Sequence, residues 1–478
     1  MSTGHGTPPV NGKTPRWLRE PGGNAAATVA ALCEEFSEVC ESAVDPLEVA
    51  SALEFDGFSD RSVRGQYGVD DVFALARTMY LQVPRRPAYP AAGPEPWPTG
   101  RLRPLLHGLI YALPAACFPA AAGLLHGPGV VPALVLALLV AWGLSQGLAC
   151  VGYLRRAGSA DEDQVKRVLR AGLAAGLVLV ALAMAGAGLI LHSHGPVLVF
   201  GAGEGAFMLG ACVLMVTGTE IWLLAALAPG VTGSVLFLAA GRPHSLQPLA
   251  WAALAATPLA AGLIAVACTR PGGPRTGPLL IAAELRATGP AIAFGAVAAG
   301  LLIFPIAAGP EGRGGPNTGA LLAAVPVSLS MGGAEWILLW YRRRTRLLLG
   351  SRRDLTGFRR RARLLLAAAL AQYLCGTAAL IAVAAAVAAA TGLARPGRAD
   401  VPELAAYLML GAAMFLALLL QTMRLRAIPL LAGATALAAE IALRGQGMIV
   451  QVVTPAVLLV VLACFAVAAL GSAARHGY

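Results

Sequence analysis

Ala171-Gly-Leu-Ala-Ala-Gly-Leu-Val-Leu-Val-Ala-Leu-Ala-Met-Ala-Gly-Ala-Gly-Leu-Ile-Leu191 runs for 21 residues without a charged, amide or hydroxyl side chain. A helix rises about 1.5 Å per residue, so this stretch measures about 30 Å, the thickness of a bilayer's hydrocarbon core. No water is available at that depth, and a helix satisfies its own backbone donors and acceptors. Similar runs recur from Leu105 to Leu470. Reading them between Gly, Pro and charged breaks predicts twelve spans. The first six cover 105–125, 129–153, 168–191, 197–217, 221–240 and 247–268. The second six cover 288–308, 319–341, 364–391, 402–423, 427–443 and 448–470. Ala, Gly, Leu and Val dominate, which suits close helix packing in lipid, and the alternating pattern of an outer-membrane barrel is absent. The expected fold is all-α and polytopic.

Composition agrees. The 478 residues are 57% hydrophobic and 13% charged, against about 25% charged in soluble domains. No apolar stretch in Met1–Gly22 resembles a signal peptide, so the first span is expected to target the chain itself. Lys and Arg set the orientation. Twenty-two fall before span one or in the even-numbered turns, including Arg155, Arg156, Lys166 and the run Arg342–Arg363. Only Arg242, Arg313, Arg395, Arg398 and Arg444 fall on the other side. Positive charge stays inside, so both termini are expected in the cytoplasm of a cell-membrane protein. The net charge of +11 is then a topology signal and gives no reason to expect nucleic acid as a partner. The eight cysteines form no CxxC pair and read as small apolar fillers.

The two halves look alike. Span two ends in Ser145-Gln-Gly-Leu-Ala-Cys-Val-Gly-Tyr153 followed by Arg155-Arg156, and span eight in Gly333-Ala-Glu-Trp-Ile-Leu-Leu-Trp-Tyr341 followed by Arg342-Arg343-Arg344. A polar or basic loop and a long Ala/Leu-rich span come next in each half. Gly205-Ala-Phe-Met208 in span four matches Gly411-Ala-Ala-Met414 in span ten. Six is even, so these would be two parallel six-helix repeats. The expected organisation is a cytoplasmic helical segment 1–83, a Pro-rich linker 84–100, a first lobe 101–270 and a second lobe 271–478.

This layout over residues 101–470 resembles the multidrug/oligosaccharidyl-lipid/polysaccharide (MOP) superfamily. The resemblance implies a flippase or exporter of a lipid-linked or amphipathic, polysaccharide-type substrate, working by alternating access and without enzymatic chemistry or cofactor. Major facilitator porters share the plan. They usually carry a Gly-x-x-x-Asp-Arg-x-Gly-Arg-Arg type loop after span two, where this chain has Arg155-Arg156-Ala-Gly-Ser-Ala-Asp-Glu-Asp-Gln-Val-Lys166, and a long central loop, where this chain has only Thr269–Thr288. A third reading is a membrane scaffold whose N-terminal helices recruit a cytoplasmic partner.

Within residues 25–83, Asp45-Pro46-Leu47-Glu48 reads as a helix start, and Gly57 and Gly68 as helix stops. Val69–Ala76 opens a second helix through Tyr80. Ser59–Arg64 between them gives a helix-turn-helix outline without a basic recognition face, which fits protein docking better than DNA reading.

No hydrolase, phosphate-loop or zinc-peptidase motif occurs. His192 and His194 in a short external turn lack further ligands for a metal. Polar residues inside spans are better candidates, because burying them is costly. Glu204 in span four, Glu335 in span eight, Gln146 in span two and Gln372 in span nine are candidates for a substrate or ion pathway, with interhelical hydrogen bonding as the alternative. Glu220 reads as a cytoplasmic turn residue, and Glu440 as the i,i+4 partner of Arg444. Gly289-Pro290 and Pro326 permit bending. Arg342, Arg343, Arg344, Arg359, Arg360 and Arg361 are candidates for contact with anionic headgroups of the lipid bilayer, including the pyrophosphate of a lipid-linked glycan.

Overall fold

Asp45 does what its sequence context demands: its carboxylate accepts the Leu47 N–H at 2.9 Å, and Pro46 opens the helix behind it. The computed structural model describes residues 29–43, 45–84, 103–121, 123–125, 129–158, 161–270, 272–273, 282–307, 318–351, 355–390, 397–423, 425–443 and 448–470. All but residue 84 of the expected Pro-rich linker 84–100 therefore lies outside the described residues, as does Arg444.

Five helices form the N-terminal part: α1 (Val29–Glu35), α2 (Ser37–Ser42), α3 (Pro46–Phe55), α4 (Asp60–Tyr67) and α5 (Val72–Gln82). Gly57 at φ 92° and Gly68 at φ 67° end α3 and α4 in the left-handed region that a side chain disfavours. Ser59 and Ser62 cap α4 reciprocally, and Asp71 caps α5 through the Ala74 N–H. The expected start of α5 at Val69 is thus three residues early. Leu32, Val49, Leu53, Val63, Leu75 and Met79 make a core of their own. Burial pushes the Cys33 thiol upward, and burial together with Cys33 pushes Cys40 up to about 11. Residues 344–361 group with residues 1–99 as one compact unit, and the other unit holds 100–343 and 362–476.

The larger unit is built on α6 (Arg103–Ala112), α7 (Phe118–Ala121), α8 (Val130–Ala157), α9 (Glu162–Ile190), α10 (Gly195–Thr217), α11 (Ile221–Ala239) and α12 (Gln247–Cys268). It continues with α13 (Ala282–Ala307), α14 (Thr318–Ser351) and α15 (Leu355–Ala390), whose residues 344–361 belong to the first unit, and with α16 (Val401–Thr422), α17 (Ala427–Ala442) and α18 (Met448–Leu470). Among the described residues nine helices, α8–α13, α15, α16 and α18, are long and apolar enough to cross a membrane. Leu182, Leu189, Val199, Leu259 and Leu263 lie exposed on three of them, a surface that makes sense only against lipid. The chain is a helical, membrane-embedded protein.

The other three expected spans are helical but differ in form. Span one is broken: α6 gives way to a 3-10 turn at Leu113–Cys117 and then to α7. Pro114 and Pro119 lack the amide hydrogens that a continuous helix would use there. Span eight is α14, which runs on through the arginines to Ser351. Span eleven is α17, of only 16 residues.

Apolar cores segregate by half. Leu169, Leu173, Leu209, Leu214, Leu223 and Leu227 belong to a cluster drawn only from α6–α12. Tyr341, Tyr373, Phe415, Leu416 and Leu420 belong to one drawn only from α13–α18. In the first half α10 packs on α8, α9 and α12, and α11 packs on α12 and on the broken first span. In the second half α16 and α17 pack on α18, and α13 packs on α17.

Candidate functional site

Among the described residues, the contacts between the halves include close crossings at small residues and charged pairs. The α8–α13 crossing is close because Gly143 and Gly147 lie on Ile292, and Gly295 lies on Gln146. A second crossing joins α6 to α14. There Gly108 is so near α14 that an added methyl would stand 2.7 Å from the Leu329 carbonyl oxygen.

This approach places His107 against two carboxylates. Its Nδ1 lies 2.5 Å from Glu335 Oε2, and its Nε2 lies 3.7 Å from Glu220 Oε1. The first is a short hydrogen bond, and the second is within ion-pair range. Glu220 stands at the start of α11, after a turn in which Gly218 takes φ 74°, and its carboxylate makes no cap bond of its own. A helix N-terminus favours negative charge there. His107 and Glu220 are buried, whereas the Glu335 side chain keeps 39% of its surface accessible. Tyr111, one turn beyond His107, is within electrostatic reach of Glu335, Tyr153 and Cys212 and is also partly exposed.

At the α8–α13 crossing, Arg155 grips Glu284 with both arms of its guanidinium, Nε to Oε1 at 2.6 Å and Nη2 to Oε2 at 2.9 Å. Both side chains are buried, at 7% and 8% exposure. The paired geometry offsets the cost of removing both charges from water.

The sequence-predicted residues do not gather in one place. Glu335 joins the His107 cluster. Glu204, midway along α10, is enclosed by neighbouring helices yet keeps accessible surface; among the described residues no hydrogen-bond partner reaches it. Gln146 is exposed beside Gly295, and Gln372 is exposed on α15. Among the described residues no hydrogen bond joins any two of these four. Arg342 is half-buried, while Arg343, Arg344, Arg359, Arg360 and Arg361 are exposed at the ends of α14 and α15. Glu220 sits in a turn as expected, but it is buried and faces His107. Glu440 is buried at 1% exposure and shares with Glu403 an electrostatic influence on Tyr407. Among the described residues no group of three or more His, Cys, Asp or Glu side chains is arranged to hold a metal ion, the His107 cluster included.

His107, Arg155 and Glu284 were not singled out as site residues from sequence. All three sit at span ends, where charge is ordinary. The available signal was the glycine beside His107 and the Tyr at i+4, which mark a close-packed polar face. Comparison of the chain with protein-family models, curated proteins and solved structures finds no match.

Proposed function

We propose that this chain is a MOP-like membrane transporter that moves a lipid-linked or amphipathic, polysaccharide-type substrate across the cell membrane by alternating access, with both termini in the cytoplasm. The observation that carries the reading is a polar seam between two lobes that each have their own apolar core. A seam that stays shut is served as well or better by apolar side chains of similar volume. A seam that opens gains from charge, because each separated partner finds water.

Parallel duplication into twelve spans is part of the proposal, and helix adjacency supports it. The pairs α10–α12 and α11–α12 of the first half recur as α16–α18 and α17–α18. Packing of α11 on the broken first span recurs as α17 on α13. The crossings between halves exchange in the same way: span one with span eight, and span seven with span two. A two-fold axis along the membrane normal generates this pattern.

The test is lipid translocation in proteoliposomes, using a fluorescent polyprenyl-pyrophosphoryl sugar and an impermeant quencher. Wild-type protein should give quencher access to both leaflets, and E204Q and E335Q should abolish it while folding normally. Protection equal to that of protein-free vesicles would reject transport of this class. The scaffold reading would then stand; the close α8–α13 crossing at Gly143, Gly147 and Gly295 is the observation in its favour.

A further inference from the structure

Residues 29–60 contain nine acids and no Lys or Arg. Residues 344–361 contain seven Arg and a single Asp. These two stretches of opposite charge, nearly three hundred positions apart, fall in one compact unit. The arginine stretch is packed as well as charged: Thr345 and Phe358 are 1% and 3% exposed, at the end of α14 and the start of α15. Helix ends projecting into water do not bury an aromatic ring to that degree. Something covers them, and the unit they belong to has residues 1–99 as its other main constituent.

The charged side chains divide into two sets. Glu35, Glu38 and Glu41 on the acidic helices, and Arg346 on α14, each have an interaction partner. Arg359, Arg360 and Arg361 at the start of α15 are exposed, and among the described residues none of them has an ion-pair partner.

We infer that the acidic face of α1 and α2 is a docking surface for the arginine-rich end of α14 in the same chain, engaging the Arg344–Arg346 side and leaving Arg359–Arg361 open. The inference does not depend on the transport reading. The N-terminal helices then have an occupant already, and an external partner at Glu35, Glu38 and Glu41 has to compete with Arg346. The arginines likewise divide their work: one set is neutralised within the chain, and the other keeps its positive potential for anionic headgroups or phosphate. Individual exposed pairs contribute little, so the docking rests on several charges acting together. Salt screens such a contact within about 8 Å at physiological ionic strength.

Hydrogen–deuterium exchange of the full chain in nanodiscs tests this. Replacing Glu35, Glu38 and Glu41 with Arg should raise exchange at least tenfold in α1, α2 and residues 344–351. Amides of α3–α5 serve as the internal measure that the N-terminal helices remain folded. Adding R344E and R346E to that triple variant should restore protection, and 0.5 M salt should act on wild type in the same direction as the triple variant. Unchanged exchange at 344–351 in the triple variant overturns the inference, and so does a rise that the compensating pair fails to reverse. Nanodiscs of zwitterionic lipid alone address the competing occupant: wild-type protection lost there and kept with phosphatidylglycerol would assign the arginines to lipid and sink the intramolecular contact.

Discussion

Arg155 and Glu284 illustrate how much a single buried pair decides. Removing one partner strands the other charge, at a cost of about 3–5 kcal/mol for pairs of this kind. Glu284→Gln should therefore lower the melting temperature in detergent far more than Arg156→Gln, whose guanidinium is exposed and bonds a backbone carbonyl at 3.2 Å. Exchanging the charges, R155E with E284R, should recover part of the loss. Cys40 offers a second residue-level prediction, with a sign that can be checked. Its thiol is held near 11 by burial and by Cys33, so the folded state favours the protonated form. Stability from this source is fully present below the ordinary thiol range and is lost as pH rises toward 11. At pH 8 the thiolate fraction is about a hundredfold below that of a solvated Cys near 9. Alkylation by iodoacetamide should be at least that much slower than in urea; equal rates would contradict the buried placement. Of the acids read from the sequence inside apolar runs, Glu335 joins the His107 cluster, whereas Glu204 on α10 lies apart from it. His107 was not legible, because a histidine at a span end looks like interfacial decoration until the helix opposite is in place.

At the scale of elements, backbone chemistry explains both the hits and the misses. The helix start at Asp45 and the stops at Gly57 and Gly68 depend on local donors and acceptors, and the sequence displays those directly; the Ser59 cap of α4, inside the stretch expected to link two helices, appears only in the structure. Proline is less predictable from sequence alone. Pro114 and Pro119 interrupt the first span, whereas Pro229 sits inside an unbroken α11. Beside that proline the Gly230 N–H donates to Thr257 Oγ1 on α12 at 3.1 Å. Thr257→Val removes the acceptor at nearly constant volume and leaves a buried donor unsatisfied, costing about 1–3 kcal/mol. Thermal unfolding should register this loss, and Thr257→Ser should restore most of it. If Val proves neutral, the cross-helix bond contributes nothing to stability.

For the whole molecule, the twelve expected spans all correspond to helical segments, while among the described residues nine helices meet the length and apolarity needed to cross a bilayer. The shortfall comes from the broken first span, the arginine-bearing α14 and the short α17, features of packing and charge that an apolar run does not reveal. The apolar cores segregate on either side of the boundary that the sequence suggested near residue 270. The seam between them was not legible, since it depends on which glycines face each other. Orientation remains a matter of charge: reporter fusions after Gly312 and after Arg353 should read outside and inside respectively, and the reverse would reject the proposed topology. The crossing of α8 and α13 has one more consequence. With Gly143 and Gly147 lying on Ile292, the two halves touch near the middle of α8 at almost backbone-to-backbone distance, while the Arg155–Glu284 pair is set toward the ends of α8 and α13. Under the proposed alternating access such a contact acts as a fulcrum, about which the lobes tilt like the arms of a balance without parting there. Spin labels flanking this point should keep a constant separation in every state, and labels at the ends of the same helices should swing in opposite senses.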